Sequence, residues 1–263
     1  MGFTVTRDKM LEIGEQARLR TDKYLTVISD IVKAPGGDKK LEAKYRGTGC
    51  YVLFDGFPFV LTAKHVIDSN NVEYCVHGRE SGAKPFPFRS GWVSAQDVDA
   101  DVAVYGCFQQ ALDDSGIVPL SYSELMVPSF NFKDAFYYCN GFPGANMLHL
   151  PFLGESTFNG NPFIGKETTL PSGYNEDIHF AVEYPCKTPP NGMSGSPIWN
   201  LRIHCMNKIE VWCPDVVSFA GVVHRWHQDT QKLIVTKVEF IRDFVPNGIL
   251  FLKEKYGWKN GNE

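Results

Sequence analysis

Two periodicities divide this chain. Between residues 7 and 20, the apolar positions Met10, Leu11, Ile13, Ala17 and Leu19 recur at helical spacing among charged residues, which predicts an amphipathic α-helix with Thr6 as its N-cap. From residue 24 the texture changes to short runs rich in β-branched and aromatic residues. YLTVISDIV, GCYVLF, FPFVLTA, VEYCVHG and DVAVYGCF are punctuated by PGG, DG, SNN and SG, the residues that tight turns demand. The acidic stretch QQALDDSGIVPLSYSELMVPS breaks the pattern and reads as a connector. Strand-like runs resume with AFYYCNGF, IHFAVEY, SPIWNL, KIEVWC, VVSFAGVVH and KLIVTKV. The close, VEFIRDFV and ILFLKEKYGW, predicts one or two short helices interrupted at Pro246-Asn247-Gly248.

Two such sets of strands predict an all-β fold: two packed antiparallel six-stranded β-barrels with a short N-terminal helix and a C-terminal helix. The expected division is residues 1–20 for the N-terminal helix, 21–120 for the first barrel, and 121–263 for the connector, second barrel and C-terminal helix.

Composition narrows the function classes. With 263 residues, 43% of them hydrophobic, the chain can bury a sizeable core. A formal net charge of -4 without a basic block argues against a nucleic-acid partner. No apolar run approaches the ~20 residues that span a bilayer. The first twenty residues are mostly polar and lack the apolar core of a secretory signal, so an unprocessed, cytoplasmic protein is expected. Met1-Gly2-Phe3-Thr4-Val5-Thr6 fits a loose myristoylation pattern, but a match this short is the kind that chance supplies. The seven cysteines form an odd set with no CxxC pair. Cys50, Cys75, Cys107 and Cys139 fall inside apolar strand runs, as buried reduced thiols do, which fits a reducing compartment.

Three segments carry candidate chemistry. Asn191-Gly192-Met193-Ser194-Gly195-Ser196-Pro197 puts a serine between two glycines on a tight turn, where unusual φ values expose a hydroxyl and converge backbone N–H groups. Phe59-Val60-Leu61-Thr62-Ala63-Lys64-His65-Val66 ends an apolar strand on a histidine able to titrate near neutrality. Asp101 leads into the buried run Val102-Ala103-Val104-Tyr105, where a carboxylate needs a partner; Asp97 and Asp99 are its rivals. Each has an ordinary explanation by itself: a Gly/Ser turn, a satisfied strand-end histidine, a strand-start aspartate.

Together, GTGCYV with FVLTAKHV, then DADVAVY, then GMSGSPIW, resemble the chymotrypsin/trypsin-like serine peptidase superfamily, in the order His, Asp, Ser. CNGFPG, FAGVVH and VTKVEFIRDF support the resemblance, which spans roughly residues 24–250. It implies a Ser194 nucleophile, a His65 general base, an Asp101 that orients the imidazole, and an oxyanion hole from the N–H groups of Gly192 and Ser194. Such chemistry needs no metal or organic cofactor, and its partner is a protein or peptide substrate. The spacing of His224, His227, Cys205 and Cys213 fits no standard zinc set.

The chain also departs from the family. Met193 stands where secreted members carry an acid that pairs with a cleaved N-terminus, and no cysteine adjoins His65. Both departures resemble the bacterial and viral-like branches, which fold without propeptide removal. By the resemblance, Thr188, Trp226 and Leu233 line the primary pocket, and their size and lack of charge imply a small or uncharged P1 residue. By the resemblance, His224 is a candidate pocket residue, but it lies one residue past the position of a pocket histidine and so would point to the opposite side; the alternative to the pocket is packing near Asp101 or on the rim. The expected activity is a serine endopeptidase; a vestigial binding module and an esterase are the alternatives. The N-terminal helix is expected to cap its own barrel, with docking of a regulatory protein as the alternative.

Overall fold

Helix α1 (Arg7–Thr21) starts where Thr6 Oγ1 accepts from the Lys9 N–H at 3.4 Å, as the sequence predicts. The computed structural model describes residues 6–33, 41–68, 73–77, 86–87, 91–97, 99–127, 135–144, 147–150, 155–206 and 209–257. Met1–Val5, with the acylation match, and the side chains of Cys75 and Cys205 lie outside the described residues. The buried stripe of α1 is narrower than its sequence suggests: Ile13, Ala17 and Thr21 are buried and Met10 packs beside them. Leu11 and Leu19 stay 64% and 66% exposed, because 100° per residue carries both off the face that Ile13 and Ala17 share. That face is taken up by the chain's own core, with Tyr138, Trp199 and Phe219 in the same cluster. Just beyond the helix, Asp22 accepts from Tyr138 Oη at 3.0 Å and from Asn140 Nδ2 at 2.7 Å.

The first set of strands is β1 (Leu25–Lys33), β2 (Leu41–Phe54), β3 (Phe57–Ala63), β4 (Glu73–His77), β5 (Phe86–Pro87), β6 (Trp92–Ser94) and β7 (Val102–Gly106). They form one antiparallel sheet in the order β5-β4-β1-β2-β3-β7-β6, and β8 (Leu120–Ser121) adds in parallel to β2. This sheet has eight strands where the sequence suggests six; β5 and β8 are two residues each, too short to leave a period-2 pattern. The one-turn helix α2 (Lys64–Ile67) continues directly from β3. β1 and β2 pair across a bulge: Ile28 faces Gly47 while Ser29 faces Tyr45, leaving Arg46 unmatched.

The stretch expected to be a loose connector is packed. It contains α3 (Gln109–Asp114), β8 and α4 (Tyr122–Leu125), and it buries Leu112, Ile117, Leu120 and Leu125. Those four apolar positions are spaced too irregularly to register as either periodicity.

The second set is β9 (Phe136–Cys139), β10 (Met147–Leu150), β11 (Glu155–Phe158), β12 (Phe163–Thr168), β13 (His179–Glu183), β14 (Pro197–Asn200), β15 (His204–Met206), β16 (Ile209–Val211), β17 (Ser218–His227) and β18 (Lys232–Lys237). Six of these close into the barrel β12-β13-β18-β17-β14-β9, while β10–β11 and β15–β16 are separate hairpins. One hydrophobic cluster runs from Cys50, Val52 and Leu61 of the first sheet to Tyr138, Trp199 and Phe219 of the second barrel.

The C-terminal segment is one helix, α5 (Val238–Tyr256), with Pro246 inside it. Proline cannot donate to the carbonyl four residues earlier, which here is Arg242 O. Tyr122 Oη donates to that carbonyl at 2.7 Å instead, so the turn keeps its satisfaction and the helix continues. Among the described residues, no helix is long and apolar enough to cross a membrane.

Candidate active site

His65 and Asp101 are brought together by the ends of two paired strands. β3 ends at Ala63 and the chain turns into α2, while β7 begins beside it at Val102, opposite Ala63. Asp101 holds that corner three times: its carbonyl accepts the Lys64 N–H at 3.0 Å, Oδ1 accepts the His65 N–H at 3.0 Å, and Oδ2 lies 2.5 Å from His65 Nδ1. Its φ of +41° is strained for a side chain with a Cβ. Neighbouring bonds hold it there, including Thr236 Oγ1 donating to Ala100 O at 2.6 Å. Burial alone would raise the Asp101 carboxyl, but hydrogen bonding and charge from His65, with the charge of His224, outweigh it and hold the group below its ordinary value.

Ser194 sits on the turn between Pro190 and Pro197, where Gly192 and Gly195 have φ of +99° and +86°. The turn presses on the first sheet: the Thr48 N–H donates to Ser194 O at 2.9 Å. Gly47 is wedged between the two catalytic candidates' segments, since a Cβ there would come within 2.7 Å of Val66 in α2 and 3.0 Å of Ser194 O.

The backbone groups of this turn can be accounted for one by one. Asn191 O accepts from the Gly144 N–H at 2.8 Å, Gly192 O from Thr48 Oγ1 at 3.1 Å, Met193 O from the Ser196 N–H at 2.9 Å. Met193 N–H donates to Pro190 O and Gly195 N–H to Val223 O, both at 2.8 Å. Among the described residues, the N–H groups of Gly192 and Ser194 donate to no backbone carbonyl of the chain. These two are the donors that the sequence nominates for an oxyanion.

Met193 is fully buried, in an apolar cluster with Tyr137, Cys139, Tyr184, Ile198, Val223 and Leu233. A methionine there holds the turn by packing, with no role for a charge.

No protein-family model matches this chain, and no curated protein is similar to it in sequence. Its fold does have solved counterparts. The serine protease domain of the Sesbania mosaic virus polyprotein superposes with a TM-score of 0.51 at 16% identity, over 85% of this chain and 92% of that one. The HtrA-type protease AlgW, solved with a decapeptide, superposes with a TM-score of 0.54 at 11% identity, over 90% of this chain and 67% of that one. The fold is trypsin-like. At these identities the likeness establishes the trypsin-like architecture, and the chemistry has to be argued from the side chains of this chain.

Within the trypsin-like frame, the residues expected to line the primary pocket separate. Trp226 and Leu233 face each other across β17 and β18. Leu233 is fully buried in the cluster that holds Met193, and half-buried Trp226 packs against it, so the pair fills space beneath the turn that carries Ser194. Thr188 is half-buried on the loop before that turn, its carbonyl accepting from Tyr184 Oη at 2.7 Å. His224 takes the second of its two expected positions: its Nε2 is 3.4 Å from Asp101 Oδ2 and its Nδ1 is 3.2 Å from His179 Nε2. It also borders a cavity of about 360 Å³ with Asp99, Tyr174, Asn175, His179 and Arg225. Burial pushes the His224 imidazole down to about 4, with Arg225 and His179 adding to the effect against the pull of Asp101. Burial lowers His179 as well.

Sequence reasoning missed Tyr45, Thr48, Gly144 and His179. GTGCYV and CNGFPG mark the segments that contain or adjoin the first three, and only a fold shows that both segments close on the serine turn.

Proposed function

We propose that the chain is a serine endopeptidase acting on a protein or peptide substrate. Ser194 attacks the acyl carbon, while His65 takes the hydroxyl proton as general base and then delivers it to the leaving amine. Asp101 fixes the imidazole tautomer through the Nδ1 contact and stabilises the imidazolium. Water then hydrolyses the acyl-enzyme by the same route. The oxyanion of each tetrahedral intermediate is held by the N–H groups of Gly192 and Ser194, and each such donor is worth about 10²–10³ in rate. The observation that carries this reading lies in the turn's backbone: every other carbonyl and N–H from Asn191 O to Gly195 N has a partner, and among the described residues those two N–H groups donate to no backbone carbonyl.

A cytoplasmic location belongs to the same reading, supported by the free, buried thiols of Cys50, Cys107 and Cys139. Digestion of a peptide library tests the reaction and its specificity together. Cleavage after small or uncharged P1 residues is expected from Trp226 and Leu233 filling the space below the turn. Efficient cleavage after Arg or Lys would refute the specificity, and an intact library alongside ester hydrolysis would refute the peptidase.

A further inference from the structure

The turn that carries Ser194 is held from the opposite half of the molecule by two side chains of β2. In a regular strand Tyr45 and Thr48, three residues apart, would point to opposite faces. The bulge at Arg46 changes this. Thr48 pairs with Val27 and Tyr45 with Ser29, and Val27 and Ser29 share a face of β1, so Tyr45 and Thr48 share a face of β2. The bulged residue is itself anchored, since the Arg46 guanidinium pairs with the fully buried carboxylate of Asp30 on β1.

Both hydroxyls meet the same carbonyl. Thr48 Oγ1 donates to Gly192 O at 3.1 Å and accepts the Phe142 N–H at 3.1 Å. Tyr45 Oη lies against Gly192 O and Phe142 O, with one proton to donate to either. A side chain on Gly192 would run into the Tyr45 ring. Two peptide planes hinge at the Gly192 Cα. The plane before it is held by Asn191 O on the Gly144 N–H. The plane after it is held at one end by Met193 N–H on Pro190 O and at the other by Tyr45 and Thr48. The Gly192 N–H lies in the first of these planes, so turning it away from the oxyanion position means parting Asn191 O from the Gly144 N–H. Gly144 is two residues past Phe142, whose N–H donates to Thr48 Oγ1 and whose carbonyl meets Tyr45 Oη, so the same two side chains hold the segment that fixes this plane.

We propose that Tyr45 and Thr48 are positioning residues for the oxyanion site, holding the Gly192 N–H in its donating orientation without a charged terminus. This rests on the endopeptidase reading above. Loss of the latch leaves the substrate-binding surface in place and lets the turn sample orientations that do not donate, so it lowers kcat more than it raises KM.

The test compares Tyr45→Phe, Thr48→Val and Thr48→Ser with the wild-type chain on a peptide it cleaves. Four quantities are read: kcat, KM, the affinity of an aldehyde of the same sequence, and the affinity of the cleaved product. For Tyr45→Phe we expect kcat to fall about ten- to a hundredfold, short of the ~10²–10³ lost with a donor itself. Aldehyde affinity should fall in step, with KM and product affinity staying within about twofold. Thr48→Val should behave alike, and Thr48→Ser, which keeps the hydroxyl, should restore most of the rate. Should Thr48→Val not fold, Tyr45→Phe carries the test alone. Variants whose kcat and aldehyde affinity match an active wild-type chain would overturn this proposal alone, as would a parallel loss of aldehyde and product affinity. A wild-type chain without hydrolytic activity would overturn the endopeptidase reading and this proposal with it.

Discussion

Asp101 Oδ2 lies 3.4 Å from His224 Nε2, so the oxygen that contacts His65 at 2.5 Å also meets a second histidine from the other barrel. Asp101 directly precedes β7 of the first sheet and His224 belongs to β17 of the second barrel. The carboxylate is therefore enclosed from both sides, which explains its burial at 9% exposure and the confinement of its strained φ.

This arrangement predicts a specific acid weakness. His224 binds a proton near 6.5 in the unfolded chain and only near about 4 when folded, so folding disfavours the proton. Its contribution to stability is whole above the upper value and is lost as pH falls from there toward about 4. His179, also lowered by burial, acts in the same direction. Urea unfolding at neutral pH and at about pH 5 should show that His224→Gln loses less stability on acidification than the wild-type chain. An equal acid loss in both would contradict the account.

The burial of Met193 predicts activity without processing. Its side chain is enclosed by Tyr137, Cys139, Ile198 and Val223, where a carboxylate would have no partner. Met193→Asp should destabilise the fold by about 3–5 kcal/mol, the scale of an uncompensated buried charge. The intact chain should hydrolyse peptide while retaining the mass of the full sequence. Activity confined to N-terminally trimmed protein, measured by mass spectrometry alongside turnover, would contradict this.

Ile13 reports on the N-terminal helix. It is fully buried against the core, so Ile13→Ala should cost about 2–5 kcal/mol and lower the melting temperature with no partner present. Exposed Leu11 should tolerate alanine with a change within about 0.5 kcal/mol. Equal effects at the two positions in thermal unfolding would mean that α1 does not cap the barrel in this way.

Much of this architecture is legible in the sequence because local chemistry and global fold agree there. The strand FVLTA ends two residues before His65, DADVAVY starts a strand directly after Asp101, and GMSGSP can only be a tight turn. What stays hidden depends on contacts between distant segments. The bulge at Arg46 is a relation between β1 and β2, so nothing in YRGTG alone announces that Tyr45 and Thr48 share a face. The continuity of α5 through Pro246 depends on Tyr122, 120 residues before Arg242, supplying a hydrogen bond that no local pattern encodes. His224 is visible as a histidine in an apolar run, but strand parity cannot tell whether its side chain meets substrate or Asp101.

The central claim is that Ser194 is a nucleophile activated by His65 and Asp101 beside the N–H donors of Gly192 and Ser194. Active-site labelling with a fluorophosphonate probe, followed by peptide mapping, tests it most directly. The wild-type chain should be labelled at Ser194, and Ser194→Ala should take up no label and hydrolyse no peptide. It should keep the wild-type melting temperature to within the small change of a turn substitution, about 0.5 kcal/mol or less. Undiminished labelling of the alanine variant at another serine, or a folded wild-type chain that takes up no label, would contradict it.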